Sequence, residues 1–204
     1  MAKIQAGILS NVRGAVAGVV GGTWKGKNYV RARVTPANPN TVAQQAQRGK
    51  MGAAVAFAKL ILGGVLQPFV DPFQKYMSGF NWFIKKNIAS FSDPTVWASV
   101  VVTEGTLFGL TDTVKDFDGT NVKLEWDGAA LGPNGLATDK VTLIAVNKAT
   151  GVVYQIGTAV DRSTGAAQVN TGATVTLGDY IVYAVVYRLV ADKVTMVSNS
   201  QYVA

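Results

Sequence analysis

Hydrophobic and polar positions change their spacing twice along this chain. From Lys3 to Val34, β-formers interleave with glycine in the runs KIQAGIL, VRGAVAGVV and TWKGKNYVRARV. Strict alternation at the end of this stretch puts Tyr29, Arg31 and Arg33 on one face of a strand and Val30, Ala32 and Val34 on the other. Gly21-Gly22 and Gly26 supply turns, and so much glycine leaves little core, which predicts an extended β arm or hairpin that packs against something else.

The spacing then becomes helical. Pro36 and Pro39 mark a turn, after which Asn40 or Thr41 caps a helix with Val42, Ala43, Ala46, Ala53, Ala54, Phe57 and Ile61 on its apolar face. Gln44, Gln45, Gln47, Arg48 and Lys50 make the opposite face polar, and Gly63-Gly64 is read as the stop. Asp71-Pro72 announces a second helix, carrying Phe73, Tyr76, Met77, Phe80, Ile84 and Ile88 as far as Phe91. Its aromatic stripe reads first as core, with a surplus suited to burial against another subunit.

After Ser92-Asp93-Pro94 alternation returns in short runs: VWASVVV, NVKLEW, KVTLIAVN, GVVYQIGT, ATVTL, YIVYAVVYRLV and KVTMVSNSQYV, divided by turn clusters such as DFDGTN and LGPNG. Seven such runs predict an immunoglobulin-like or fibronectin-like β-sandwich, with Trp126 and Tyr183 or Tyr187 as core plugs. The expected fold class is α+β: an arm plus two-helix region over residues 1–92, then a sandwich over 93–204.

Charge sharpens this division. Residues 1–70 hold nine Lys or Arg and no Asp or Glu, whereas the remainder holds ten basic and twelve acidic side chains. The longest apolar run, Ala53 to Leu66, contains Lys59 and falls short of the ~20 residues of a bilayer span, so no membrane span is expected. The first residues lack the apolar core of a secretory leader.

With no Cys and no His, disulfides, Cys or His metal sites and imidazole-based nucleophile chemistry are excluded. Gly21 to Asn28 nearly spells a phosphate-binding P-loop, but Asn28 replaces the magnesium-binding hydroxyl and a strand follows instead of a helix. Asp116-Phe117-Asp118-Gly119 imitates the start of a calcium loop, yet its twelfth position is the short Asp127. The carboxylates offer no acid and base pair, so neither an enzyme nor a cofactor is expected.

Three motif groups have a likeness elsewhere. Trp24, Lys25, Gly26, Tyr29, Arg31 and Arg33, then Asn38, Pro39, Thr41, Ala43, Gln44, Gln47 and Arg48, then Ser78 and Asn81, resemble an uncharacterised family from Bacteroidetes and their phages. The closing Ser198-Asn199-Ser200-Gln201-Tyr202 is similar to that family's last strand. The resemblance implies no activity, but it implies a virion or other assembly component.

The expectation is therefore a non-enzymatic structural protein of a phage or prophage virion, partnered by copies of itself and other assembly proteins. Its expected subunit contacts are Trp24, Tyr29, Arg31, Arg33, Gln44, Gln47, Arg48, Phe73, Tyr76 and Phe80. Two alternatives stand beside it: a nucleic-acid-binding protein of the bacterial cytoplasm using the basic arm, and an adhesin-like protein of the cell surface.

Overall fold

The structure, a computed structural model, describes residues 2–4, 13–35, 37–38, 40–92, 95–155, 159–172, 174–176 and 178–203. Among the features read from the sequence, most of KIQAGIL, Pro36, Pro39, Asp93-Pro94, the end of GVVYQIGT and both ends of ATVTL lie outside the described residues. Two compact units divide between Thr41 and Val42 rather than after Ser92. The fold class is α+β.

The first unit is a sheet rather than a lone hairpin. Strands β1 (Ala2–Ile4), β2 (Gly14–Val16), β3 (Val19–Trp24) and β4 (Lys27–Ala32) pair antiparallel in the order β1-β4-β3-β2. The turn between β3 and β4 is Lys25-Gly26, with φ of 48° and 76°. Two successive positive φ values match the right-handed twist of the flanking strands, and Gly26 adopts its value without the cost of a Cβ. The P-loop-like residues are thus a hairpin.

In the second unit, helix α1 (Val42–Leu60) begins where the sequence places it. Gly63 and Gly64 do not end the helical path. Leu62–Leu66 widens into a π turn that continues into α2 (Gln67–Phe69), and the helical path Leu62–Phe73 is bent by 64° from α1. Gly64 lies against the amide end of the Gln155 side chain, where a Cβ would come within 1.6 Å of its Oε1.

Asp71-Pro72 also departs from expectation. It forms a single 3-10 turn over Asp71–Phe73, and the aromatic helix starts later as α3 (Gly79–Asn87). Ser78 is its N-cap, accepting from the Asn81 amide at 3.4 Å, and the Asp71 carboxylate accepts from the Gly79 amide. Asp71 therefore serves the start of a different helix from the one expected. Phe73 and Tyr76 leave the helical stripe and are 42% and 87% exposed. Among the described residues no single helix is long and apolar enough to cross a membrane.

Among the described residues, nine strands follow. They are β5 (Val114–Asp118), β6 (Asn121–Glu125), β7 (Lys140–Asn147), β8 (Val153–Gln155), β9 (Val160–Asp161), β10 (Ala166–Asn170), β11 (Tyr180–Val190), β12 (Lys193–Val197) and β13 (Gln201–Val203). One sheet has the order β10-β6-β5. The other runs β12-β11-β7-β8, with β13 also on β11 and β9 also on β7.

The long central strands β7 and β11 explain the layering. Tyr183 pairs with Ile144 and Ile181 with Val146, and these residues meet the helices in one apolar cluster with Phe57, Leu66, Phe69 and Phe83. Their neighbours Val182, Ala184 and Val186 pair with Ala145, Leu143 and Val141 and meet β6 and β10 in a second cluster with Val122, Leu124, Trp126 and Val169. A strand covered on both faces must be apolar at every position, as YIVYAVVY is. Helices thus cover one face of the larger sheet and the smaller sheet covers the other. Trp126, Tyr183 and Tyr187 are all buried, as expected.

The run VWASVVV is not a ladder strand. Trp97–Ser99 is a 3-10 turn, and the extended chain after it bonds largely to side chains. Oδ1 of Asn87 accepts from the Val101 amide at 2.7 Å and Oγ of Ser200 from Val102 at 2.9 Å. Oδ1 of Asn199 accepts from Gly105 at 3.0 Å, and Gln201 bonds both the amide and the carbonyl of Leu110. The Ser-Asn-Ser-Gln run near the end of the chain therefore acts as a polar clasp on residues 102–110.

Candidate interaction surface

Each face of the first unit's sheet follows from the register. Trp24 pairs with Lys27, Gly22 with Tyr29, and Val20 with Arg31, so these side chains project on one face of β3 and β4. Trp24 is 70% exposed, and Nζ of Lys25 lies 5.8 Å from the centre of its ring. Tyr29 is half-buried because it lies over Gly22, where a Cβ would come within 2.8 Å of the phenol oxygen. Lys27 and Arg31 are exposed. Arg33 lies just past β4, and its amide donates to the Gly18 carbonyl at 2.8 Å.

The opposite face carries Val16, Val19, Val30 and Ala32, brought together by the pairs Val16 to Val19 and Val19 to Ala32. Val16 is 60% exposed. Among the described residues, neither apolar cluster includes a member of this unit. The sheet thus joins a cationic, aromatic face to a greasy one, the division that alternation predicts. Sequence reasoning missed Lys27 as a member of the cationic face, although its odd-numbered spacing from Tyr29 and Arg31 carries that information.

In the second unit, Gln44, Gln47 and Arg48 project from α1 beside Met51 around a shallow hollow of about 380 Å³. The first turns of α1 are exposed all round, and burial begins only near Ala54, Phe57 and Ala58. A groove of about 710 Å³ runs between α1 and the chain beyond α3, lined by Ala46, Gly49, Lys50, Ala53, Phe91, Ser92 and Thr95. Among the described residues that line it, Lys50 is the one charged group. Phe73 and Tyr76 are surface aromatics, with Nζ of Lys75 5.4 Å from the Tyr76 ring centre, whereas Phe80 packs against the helical core.

Charged groups elsewhere serve the fold. Arg162 is fully buried and donates to the carbonyls of Phe108, Gly109 and Ala130 at 2.9, 2.5 and 3.0 Å. Its burial lowers the guanidinium pKa, offset in part by the Asp139 charge. Arg188 binds Asp139 through Nε at 2.6 Å, and this bond raises its pKa. Among the described residues no group of three or more Asp or Glu is placed to hold a metal ion.

On the outer face of the smaller sheet, Asp116 pairs with Lys123, and Asp118 and Glu125 flank them. Glu125 binds Lys123 at 2.5 Å, and this bond is the main cause of the raised lysine pKa, with Asp116 and Asp118 adding to it. The calcium-loop imitation is therefore the β5 to β6 hairpin, with its turn at Gly119.

The described residues of the first sheet join neither apolar cluster, and the unit that follows in sequence carries both. The chain belongs to DUF6266, a family of unknown function whose profile matches residues 11–204. No curated protein matches it.

Proposed function

We infer that this is a non-enzymatic structural protein that assembles with copies of itself and with other proteins of a particle, as a component of a phage or prophage virion. One observation carries the assembly reading. The described strands of the first unit form a sheet with exposed Trp24, Lys27 and Arg31 on one face and exposed Val16 and Val19 on the other, and among the described residues none of this unit joins an apolar cluster. Its exposed valines stay in contact with water while that face is open, and covering the face with another protein supplies burial. The immunoglobulin-like reading of the second unit suits the same role, since the β10-β6-β5 and β12-β11-β7-β8 layers form a stable body for display. The virion location rests on the resemblance of the Trp24 to Arg33, Asn38 to Arg48 and Ser78 to Asn81 motifs to proteins of phage-like genomes.

Light scattering on nuclease-treated protein tests it, with full-length chain beside a chain starting at Val42. That truncation keeps both apolar clusters, so it retains its own core. Oligomers of the full-length chain and monomers of the truncation are expected. A full-length protein that stays monomeric at high concentration refutes self-assembly.

The shared face of Trp24, Tyr29, Lys27 and Arg31 favours a second reading, a stacking platform for single-stranded nucleic acid. Fluorescence quenching of Trp24 by an oligonucleotide, lost steeply as salt rises, supports that reading instead.

A further inference from the structure

We propose that the cationic face of the first unit's sheet docks on the outer face of the smaller sheet, β10-β6-β5, of a second copy of this chain. The inference deepens the assembly reading and rests on it. Residues 1–41 carry six Lys or Arg and no acid, and the register places Trp24, Lys27, Tyr29 and Arg31 on one face. A partner for that face must be flat and anionic, with an apolar spot for Trp24.

The outer face of β5 and β6 meets all three needs. Asp116, Asp118 and Glu125 share it with a single base, Lys123, which Glu125 already engages at 2.5 Å. Val114 pairs with Glu125 on the same face, 59% exposed. Strand β5 ends its sheet, so this face has an open margin. Dimensions agree as well: the six-residue strands β3 and β4 span ~20 Å and the five-residue β5, β6 and β10 span ~17 Å. Charges interleaved at the strand spacing then meet opposite charges, fixing register and suppressing other partners.

The two surfaces are different, so the contact is heterologous. Each copy offers one face and receives another, and the assembly grows head to tail into a ring or an open filament. A face of this size is modest, and its attraction is largely between exposed charges, so it weakens with salt. Screening shortens the Debye length from ~10 Å at 0.1 M to ~3 Å at 1 M salt.

A charge swap in the full-length protein is the test, read by light scattering and by mixing. Lys27→Glu with Arg31→Glu puts acid against acid, and Asp116→Lys with Asp118→Lys puts base against base. Either pair alone is expected to weaken association at least about tenfold. All four changes in one chain, or the two variants mixed in equal amounts, are expected to restore it. Unchanged circular dichroism shows that the variants fold, as exposed positions allow.

Oligomers that ignore both reversals, or that persist unchanged at 1 M salt, overturn this docking while leaving self-assembly intact. A four-fold variant that associates no better than either pair alone also overturns it, because restored charge complementarity then brings nothing. A wild-type monomer defeats this proposal together with the assembly reading.

Discussion

Replacing Arg162 tests the energetics of the second unit most directly, because the side chain is a fully buried cation bound to three main-chain carbonyls rather than to a carboxylate. Its backbone is fixed too: the Arg162 amide donates to the Asp139 carbonyl at 2.7 Å, and its carbonyl accepts from Nε1 of Trp126 at 2.7 Å. Arg162→Met keeps much of the apolar stem and removes the fork. Three charge-assisted bonds at ~1.5–3 kcal/mol each set an upper bound of ~9 kcal/mol on the loss. Against this, the variant recovers the cost of burying a guanidinium, which is several kcal/mol. The net expectation is a loss of ~3 kcal/mol, or ~6–12 °C in Tm at ~2–4 °C per kcal/mol for a unit of this size. Arg162→Lys is expected to recover ~1 kcal/mol or less, since an ammonium cannot match the planar fork across three carbonyls. Urea titration of the chain from Val42 onward, followed by tryptophan fluorescence, measures both. A methionine variant within ~1 kcal/mol of wild type refutes the argument that the carbonyl cage is held by charge.

Further predictions concern single contacts. Asn87→Asp keeps the acceptor for the Val101 amide but turns an oxygen toward the carbonyls of Phe83 and Val101, which Nδ2 now meets at 2.9 and 2.8 Å. A loss of ~3 kcal/mol at neutral pH is expected, shrinking as pH falls because the protonated acid can donate again; equal urea midpoints at pH 7 for variant and wild type contradict it. Burial raises the pKa of Tyr183, whose hydroxyl donates to the Trp97 carbonyl at 2.7 Å. A raised phenol pKa contributes stability that is complete below the ordinary value near 10 and is lost as pH rises from there toward the folded value. Thermal melts from pH 9 to 11 should therefore decline less steeply in Tyr183→Phe, with the remaining slope including Tyr187, whose pKa burial also raises. At Gly105, a Cβ would lie 1.9 Å from the Val197 carbonyl oxygen, so Gly105→Ala must displace backbone. A cost of ~1–3 kcal/mol is expected, visible as a lowered Tm; an unchanged melting curve rules out the close approach.

What the sequence made legible follows the range of the interactions. Strands β7 and β11 are readable because their runs are long and both faces are buried, so the composition itself marks them. β5 and β10 went unseen: each has only five residues, and alternate positions such as Asp116, Asp118, Gln168 and Asn170 face outward as polar groups. Local rules misread Gly64, Asp71 and the 96–102 run for one reason. Gly64 answers to Gln155, Asp71 to Gly79, and Val101 and Val102 to Asn87 and Ser200, none of which is a neighbour in sequence.

The misplaced boundary at residue 92 has a different origin, and it bears on function. Charge changes near Val70, but packing changes at Thr41, because Phe57, Leu66 and Phe69 belong to the core that contains Tyr183 and Tyr187. Helices α1 to α3 are thus cationic at the start and yet structural throughout their buried face. The first sheet is cationic, and among the described residues none of its members joins an apolar cluster. Its two faces could be read from alternation because pairing across one tight turn is local. The partner proposed above to cover them could not, since a contact with a second body leaves no period in a single chain. Charge balance is the one trace such a contact leaves, and in this chain it sets six unopposed bases in the first unit against the acids on the outer face of β5 and β6.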